Sequence, residues 1–274
     1  MITKQKEWKK EQLKSIVSQL ICENPIIFAI VKEASSELRR KFTVQLKEDC
    51  NSLGSKDNLH IILGIGNLEK LFQICNSFSQ AYHLQYSSGN RIFTLINDED
   101  LNIETNDITE SFLDKVEFLN ENTDGTAATL TLNALAFILY HEFGHVKYDD
   151  DSMLPIEKER KADLFAMDVV KEMCSDCILL DKNKFFLGAF LENILTMSMS
   201  GPKDTELYFS HPHPIERIIV FLEYFHIGES SYLWKYTYDE IVTWINANNM
   251  SMIFEREFDN YKRRIMDAFC RFKK

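Results

Sequence analysis

Residues 141–145 read His-Glu-Phe-Gly-His, and they follow directly on the apolar run ALAFILY at 134–140, which extends back to about Ala127 if threonines and Asn133 are tolerated. Residues 127–143 contain neither Pro nor Gly, so the stretch predicts a helix. Because Leu130 to Val146 is apolar almost all round, that helix belongs in the interior of the fold. Helix positions four apart share a face, so His141 and His145 project together, with Glu142 beside the first. Two imidazoles on one face can hold a single Zn²⁺, and the adjacent carboxylate can act as general base; this is the H-E-x-x-H arrangement. A Glu buried between two His without an ion would be costly. No other segment constrains the fold as strongly.

A catalytic zinc needs a third protein ligand and an open fourth position. Two candidates lie downstream. Glu159 opens the run Glu-Arg-Lys-Ala-Asp at 159–163, and Glu159 and Asp163 share one helix face, with the small Ala162 and Ala166 on the same side. One of these carboxylates can bind the metal while the other accepts a hydrogen bond from a ligand imidazole. The same run would also suit a plain solvated face. The rival is Asp151, placed where an H-E-x-x-H-x-x-G-x-x-H/D pattern puts a ligand. Position 148 of that pattern calls for a Gly in a chain reversal, and this chain has Tyr148. A third feature is SHPHPIERI, Ser210 to Ile218. Its prolines exclude His211 and His213 from a helix interior and place them in a loop entering the next helix, with Pro214 in its first turn. A His so placed can point into a cleft or simply start the helix.

Elsewhere Gly (9) and Pro (5) are scarce, which predicts long regular elements, mostly helical. Helices are expected from residue 5 to Pro25, from Pro25 to about Lys47, over 68–78, after Pro155, and over 183–199, 212–226 and 238–273. His60–Ile65 reads as a short strand. Residues 81–98, with SSGN between two aromatic and β-branched runs, read as a β-hairpin that could offer an edge strand to an extended peptide. The aromatic residues of 255–274 recur at helical spacing and predict a docking helix.

HEFGH, ERKAD and SHPHPIERI, in that order, resemble the motifs of gluzincin zinc metallopeptidases of the HtpX and CAAX-prenyl-protease type, over about residues 128–220. In size and motif position the chain is also similar to the phage-exclusion peptidases. The resemblance implies an α+β, predominantly α-helical zincin-like fold with a small antiparallel sheet and a buried HExxH helix. No clear linker interrupts the chain, so one domain is expected: a helical N-terminal part (1–80), a catalytic core (81–235) and a C-terminal helical segment (236–274). The resemblance makes His141, His145 and Glu159 zinc ligands and Glu142 the general base. His211 would stabilise an oxyanion or cap the resting metal, and Asp163 and Arg217 would support the ligands from behind.

The expected activity is hydrolysis of peptide bonds in a protein or peptide by a soluble, cytoplasmic zinc endopeptidase. The alternatives are a triggered, single-target regulatory or phage-defence peptidase with an activating protein partner, a non-catalytic zinc-binding interaction module, or a hydrolase of some other amide. The net charge of −11 disfavours nucleic acid as a partner. The charged N-terminus and the lack of an apolar run of about 20 residues predict neither export nor a membrane span. The six cysteines are expected to be reduced, with Cys174 and Cys177 as ordinary thiols at a helix end.

Overall fold

The computed structural model describes residues 2–49, 53–57, 59–84, 100–116, 125–148, 151–174, 183–201, 210–250 and 260–272. The first helices are α1 (Ile2–Cys22) and α2 (Pro25–Leu38). α1 turns Leu13, Ile16, Val17 and Leu20 inward, at the spacing that predicts it. Asn24 starts α2 by accepting hydrogen bonds from the Ile26 and Ile27 amides, with Pro25 in the first turn.

α2 does not run on to Lys47. It stops at Leu38, Arg39 takes a left-handed φ of 50°, and strand β1 (Phe42–Lys47) begins. The apolar residues of this segment fit two periods. Leu38 and Phe42 are helix-spaced, but Phe42, Val44 and Leu46 alternate, and all three are fully buried on the strand. Strands β2 (Leu53–Asp57) and β3 (His60–Gly64) follow, so residues 1–80 are not helical throughout.

After α3 (Leu68–Ala81) comes β4 (Leu101–Asp107), and the sheet order is β2-β3-β1-β4. β1 pairs in parallel with both β3 and β4, while β2 lies antiparallel on β3 as an edge. The expected antiparallel sheet is therefore corrected to three parallel strands with one antiparallel edge. The helical crossover through α3 lets β4 return in the same direction as β3, which a hairpin cannot do. Most of the hairpin expected at 81–98 lies outside the described residues.

The remaining elements are α4 (Glu110–Lys115), α5 (Thr126–Lys147), α6 (Pro155–Met173), α7 (Lys184–Met199), α8 (Pro214–Tyr224), α9 (Tyr232–Ala247) and α10 (Tyr261–Phe272). The stretch 238–273 is thus not one helix. α9 ends where Asn249 adopts φ 52°, a conformation Asn tolerates better than most residues. α10 docks through Ile265, Ala268 and Phe269. Among the described residues, no single helix is long and apolar enough to cross a membrane.

α5 is the central element and packs against α3, α6, α7 and the strands β2 and β3. Phe143, inside the His-Glu-Phe-Gly-His motif, stacks on Phe42 of β1 at 5.3 Å. Phe137 of α5 meets Phe221 of α8 edge-on, and Phe221 stacks on Phe186 of α7 at 5.4 Å. These aromatic contacts fix α8, and whatever it carries, relative to the motif helix.

Candidate metal centre

From Leu130 to Gly144, α5 is buried at every residue except Ile138, and the next half-buried position is His145. Ile138, His141 and His145 are spaced three and four apart, so they form one stripe at the C-terminal end of the helix. There the two Nε2 atoms lie 3.0 Å apart. α6 crosses α5 at this point. A Cβ built on Gly144 would stand 2.7 Å from the Ala162 Cα, so only glycine lets the two backbones come this close. That approach delivers Glu159: its Oε2 is 3.4 Å from His141 Nε2 and its Oε1 is 3.4 Å from His145 Nε2. One ligand atom from each of His141, His145 and Glu159 lies within 4.8 Å of the others.

Behind the ligands the polar contacts continue. Asp163, one turn after Glu159, has its Oδ1 2.9 Å from His141 Nδ1. Arg217 of α8 grips the same carboxylate with two donors, Nε to Oδ2 at 2.9 Å and Nη2 to Oδ1. With Nδ1 facing a carboxylate, Nε2 is the nitrogen that His141 turns to the site.

Burial and charge pairing act in opposite directions on the groups of this cluster. Burial alone would lower the pKa of His141, but contacts with Asp163 and Glu159 outweigh it and hold the ring protonated up to about 10. Burial works against ionised Glu159 and Asp163 as well. Both are nonetheless held below the ordinary carboxylate range, Glu159 by His141 and His145, Asp163 by Arg217 and His141. For Glu142 burial prevails and pushes its carboxyl up, against the pull of the two histidines. Glu142 is 1% exposed, and its Oε2 has no hydrogen-bond partner among the described residues. Two imidazole nitrogens and a carboxylate oxygen are the donor set of a catalytic zinc site, and the unsatisfied Glu142 oxygen sits beside them. The residues present fit such an ion.

The two histidines of the HPHP segment part company. His211 Nε2 comes within 3.4 Å of Glu159 Oε1, its Nδ1 is 2.8 Å from Ser210 Oγ, and its side chain is 49% exposed. His213 is buried instead. Its Nδ1 accepts the Ile215 amide to cap α8, and its ring packs on Phe269 and Trp244. Asp151 does not join the cluster; its side chain is fully exposed and 3.8 Å from Lys158. Tyr148, with φ −114°, makes no left-handed reversal that would bring Asp151 back. One contributor escapes the sequence reading. Gly144 hides in a variable position of the motif, where the small Ala162 and Ala166 are the accompanying signal.

The sequence model of the peptidase U49 family matches residues 90–237, more than half of the chain. The chain belongs to the peptidase U49 family. The matched span holds α5, α6, α7 and α8, and so every residue of the cluster described above. No curated protein and no solved structure matches the chain. Membership of U49 establishes a peptidase family; the likeness to the HtpX and CAAX-prenyl-protease type remains one of motifs.

Proposed function

We propose that this U49 peptidase is a zinc-dependent endopeptidase that hydrolyses peptide bonds in a protein or peptide substrate. The observation that carries the reading is the convergence of His141, His145 and Glu159 on one point, beside a buried Glu142 oxygen that lacks a partner. His141, His145 and Glu159 would hold the ion, and Asp163 and Arg217 would fix the orientation of His141. A zinc ion there supplies Lewis-acid chemistry, polarising the scissile carbonyl and acidifying water.

The chain's own groups do the rest. Glu142, raised in basicity by burial, takes the proton of the attacking water and returns it to the leaving amine. His211, half exposed at the rim and facing the same point as the ligands, donates a hydrogen bond to the developing oxyanion. β2 is an edge of the sheet that packs beside α5, and an extended substrate segment would add to that edge through main-chain hydrogen bonds.

The test is metal content by elemental mass spectrometry on protein purified without added zinc, together with cleavage of casein by the parent and by Glu142→Gln. The reading expects about one zinc per chain in both proteins. It expects the variant to lose cleavage by roughly 10²–10⁴-fold, the usual contribution of a positioned base. Protein that carries no metal and takes none up at neutral pH would overturn it. Zinc bound without cleavage of casein would favour a peptidase that a partner must trigger.

A further inference from the structure

His213 stands outside the cluster of His141, His145 and Glu159, yet it begins the helix that carries Arg217. It is the N-cap of α8 and accepts two of that helix's first hydrogen bonds. Its Nδ1 accepts the Ile215 amide at 3.2 Å, and its main-chain oxygen accepts the Arg217 amide at 3.0 Å. Histidine is an uncommon cap. In this chain α2 and α7 start at Asn24 and Asn183, and α4 and α9 at Thr109 and Ser231, the residue types that the role favours. A ring at 213 does what none of these can. It packs on Phe269 of α10 and Trp244 of α9, with centroids 5.2 and 6.3 Å away. His213 thereby ties the last two helices to the start of α8.

The cap decides where Arg217 sits. The first amides of a helix have no partner within it, so a first turn without a cap is free to fray. Ile215 is 0% exposed, and water cannot replace a lost acceptor at its amide. Arg217 closes this turn. It holds Asp163 with two donors, Nε to Oδ2 at 2.9 Å and Nη2 to Oδ1, and a paired fork tolerates little rotation. Asp163 Oδ1 is in turn 2.9 Å from His141 Nδ1. Each step from His213 to His141 is thus made at hydrogen-bonding distance. Phe221 anchors α8 one turn further on, through Phe137 and Phe186, and leaves the first turn to the cap.

We infer that His213 is a positioning residue of the metal centre: its Nδ1 fixes the first turn of α8, so that Arg217 holds Asp163, and Asp163 holds the His141 ring, in the ligating orientation. The inference rests on the metal-centre reading and adds to it a residue outside the ligand cluster. Loss of an outer partner of a ligand weakens metal binding by about 10–100-fold, and His213, which acts through Arg217, is expected at the lower end.

The experiment is Co²⁺ titration of the full metal-free chain, read by the visible absorption of bound Co²⁺. His213→Leu removes the acceptor and keeps an apolar side chain of similar volume. His213→Asn removes the ring and keeps an acceptor where Nδ1 was, as Asn24 and Asn183 do on their helices. Thr109→Ala removes the cap of α4, which carries no residue of the centre. His213→Leu should leave the far-UV circular dichroism spectrum unchanged, raise Kd about 10-fold and alter the Co²⁺ band. His213→Asn should restore the parental band and Kd, and Thr109→Ala should keep both. In an Arg217→Gln background, His213→Leu should change Kd by less than about twofold, because the residue it works through is already gone. Parental Kd and band in His213→Leu would overturn the inference. So would an equal loss in His213→Asn or in Thr109→Ala, or an equal effect in both Arg217 backgrounds. If His213→Leu fails to fold, His213→Phe serves, since it keeps a ring against Phe269 and Trp244, and the same loss is expected of it. A parent chain that binds no Co²⁺ would instead refute the metal centre itself, and this inference with it.

Discussion

His141 meets two demands that conflict if it is to ligate a metal. Its contacts with Asp163 and Glu159 hold the ring protonated up to about 10, against an ordinary value of 6.5. A metal ligand must be neutral at the coordinating nitrogen, so binding an ion at neutral pH displaces a proton. Zinc titration calorimetry in buffers of different ionisation enthalpy should register release of about one proton from this ring, with affinity rising as pH climbs toward 10. A heat independent of buffer would show that the ring is already neutral. The signs for stability of the metal-free chain follow from the same shifts. The His141 contribution is full below 6.5 and is lost as pH rises through about 10. Glu159 and Asp163 are shifted down from 4.5 and 3.8, so their contributions are full above those values and are lost on acidification below them.

At the level of elements, the crossing of α5 and α6 decides whether Glu159 reaches the histidines at all. Gly144 permits that crossing, and a methyl group there meets backbone, which cannot rotate away. Gly144→Ala is therefore expected to destabilise the chain by about 1–3 kcal/mol and to weaken metal binding, because relief of the clash moves α6 outward. Urea unfolding and metal titration measure the two effects. Gly228→Ala is the control: its Cβ would meet nothing within 4 Å, so it should change stability by less than about 0.5 kcal/mol and leave metal affinity alone. If Gly144→Ala bound metal like the parent, the close approach would not be what places Glu159. The same helix pair shows how much was legible locally. ERKAD shares a face whether it lies on the surface or in a site, and only the opposing glycine distinguishes the two.

Over the whole molecule, the centre joins residues up to 76 positions apart, His141 on α5 and Arg217 on α8. An ion that binds only the folded arrangement stabilises all of it. At a free zinc concentration about 100 times Kd the gain is about 2.7 kcal/mol. For a chain of this size that is an upward shift in melting temperature of roughly 5–10 °C. A chelator should reverse the shift, and His145→Ala, which leaves two of the three candidate ligands, should abolish it. A melting temperature indifferent to zinc and chelator would mean that no ion helps to hold the four helices together.

The motif segments were legible because helical period is a local property. Four-residue spacing places His141 with His145 and Glu159 with Asp163 on any regular helix, and prolines put His211 and His213 outside one. The sequence by itself therefore determined the ligand-bearing helix, its burial and the kinds of donor on offer. It left open which carboxylate completes the set, which histidine of the HPHP pair lies near that carboxylate, and how the strands run. Those choices depend on contacts between segments distant in the chain. Glu159 is selected over Asp151 by the Gly144–Ala162 approach. His213 is withdrawn by packing on Phe269 and Trp244, so that His211 is the one near Glu159. β1 and β3 run parallel because the reversed strand β2 lies between them in the chain, and β4 joins β1 in parallel through the α3 crossover. Periodicity specifies which residues share a face; only tertiary packing specifies what that face meets.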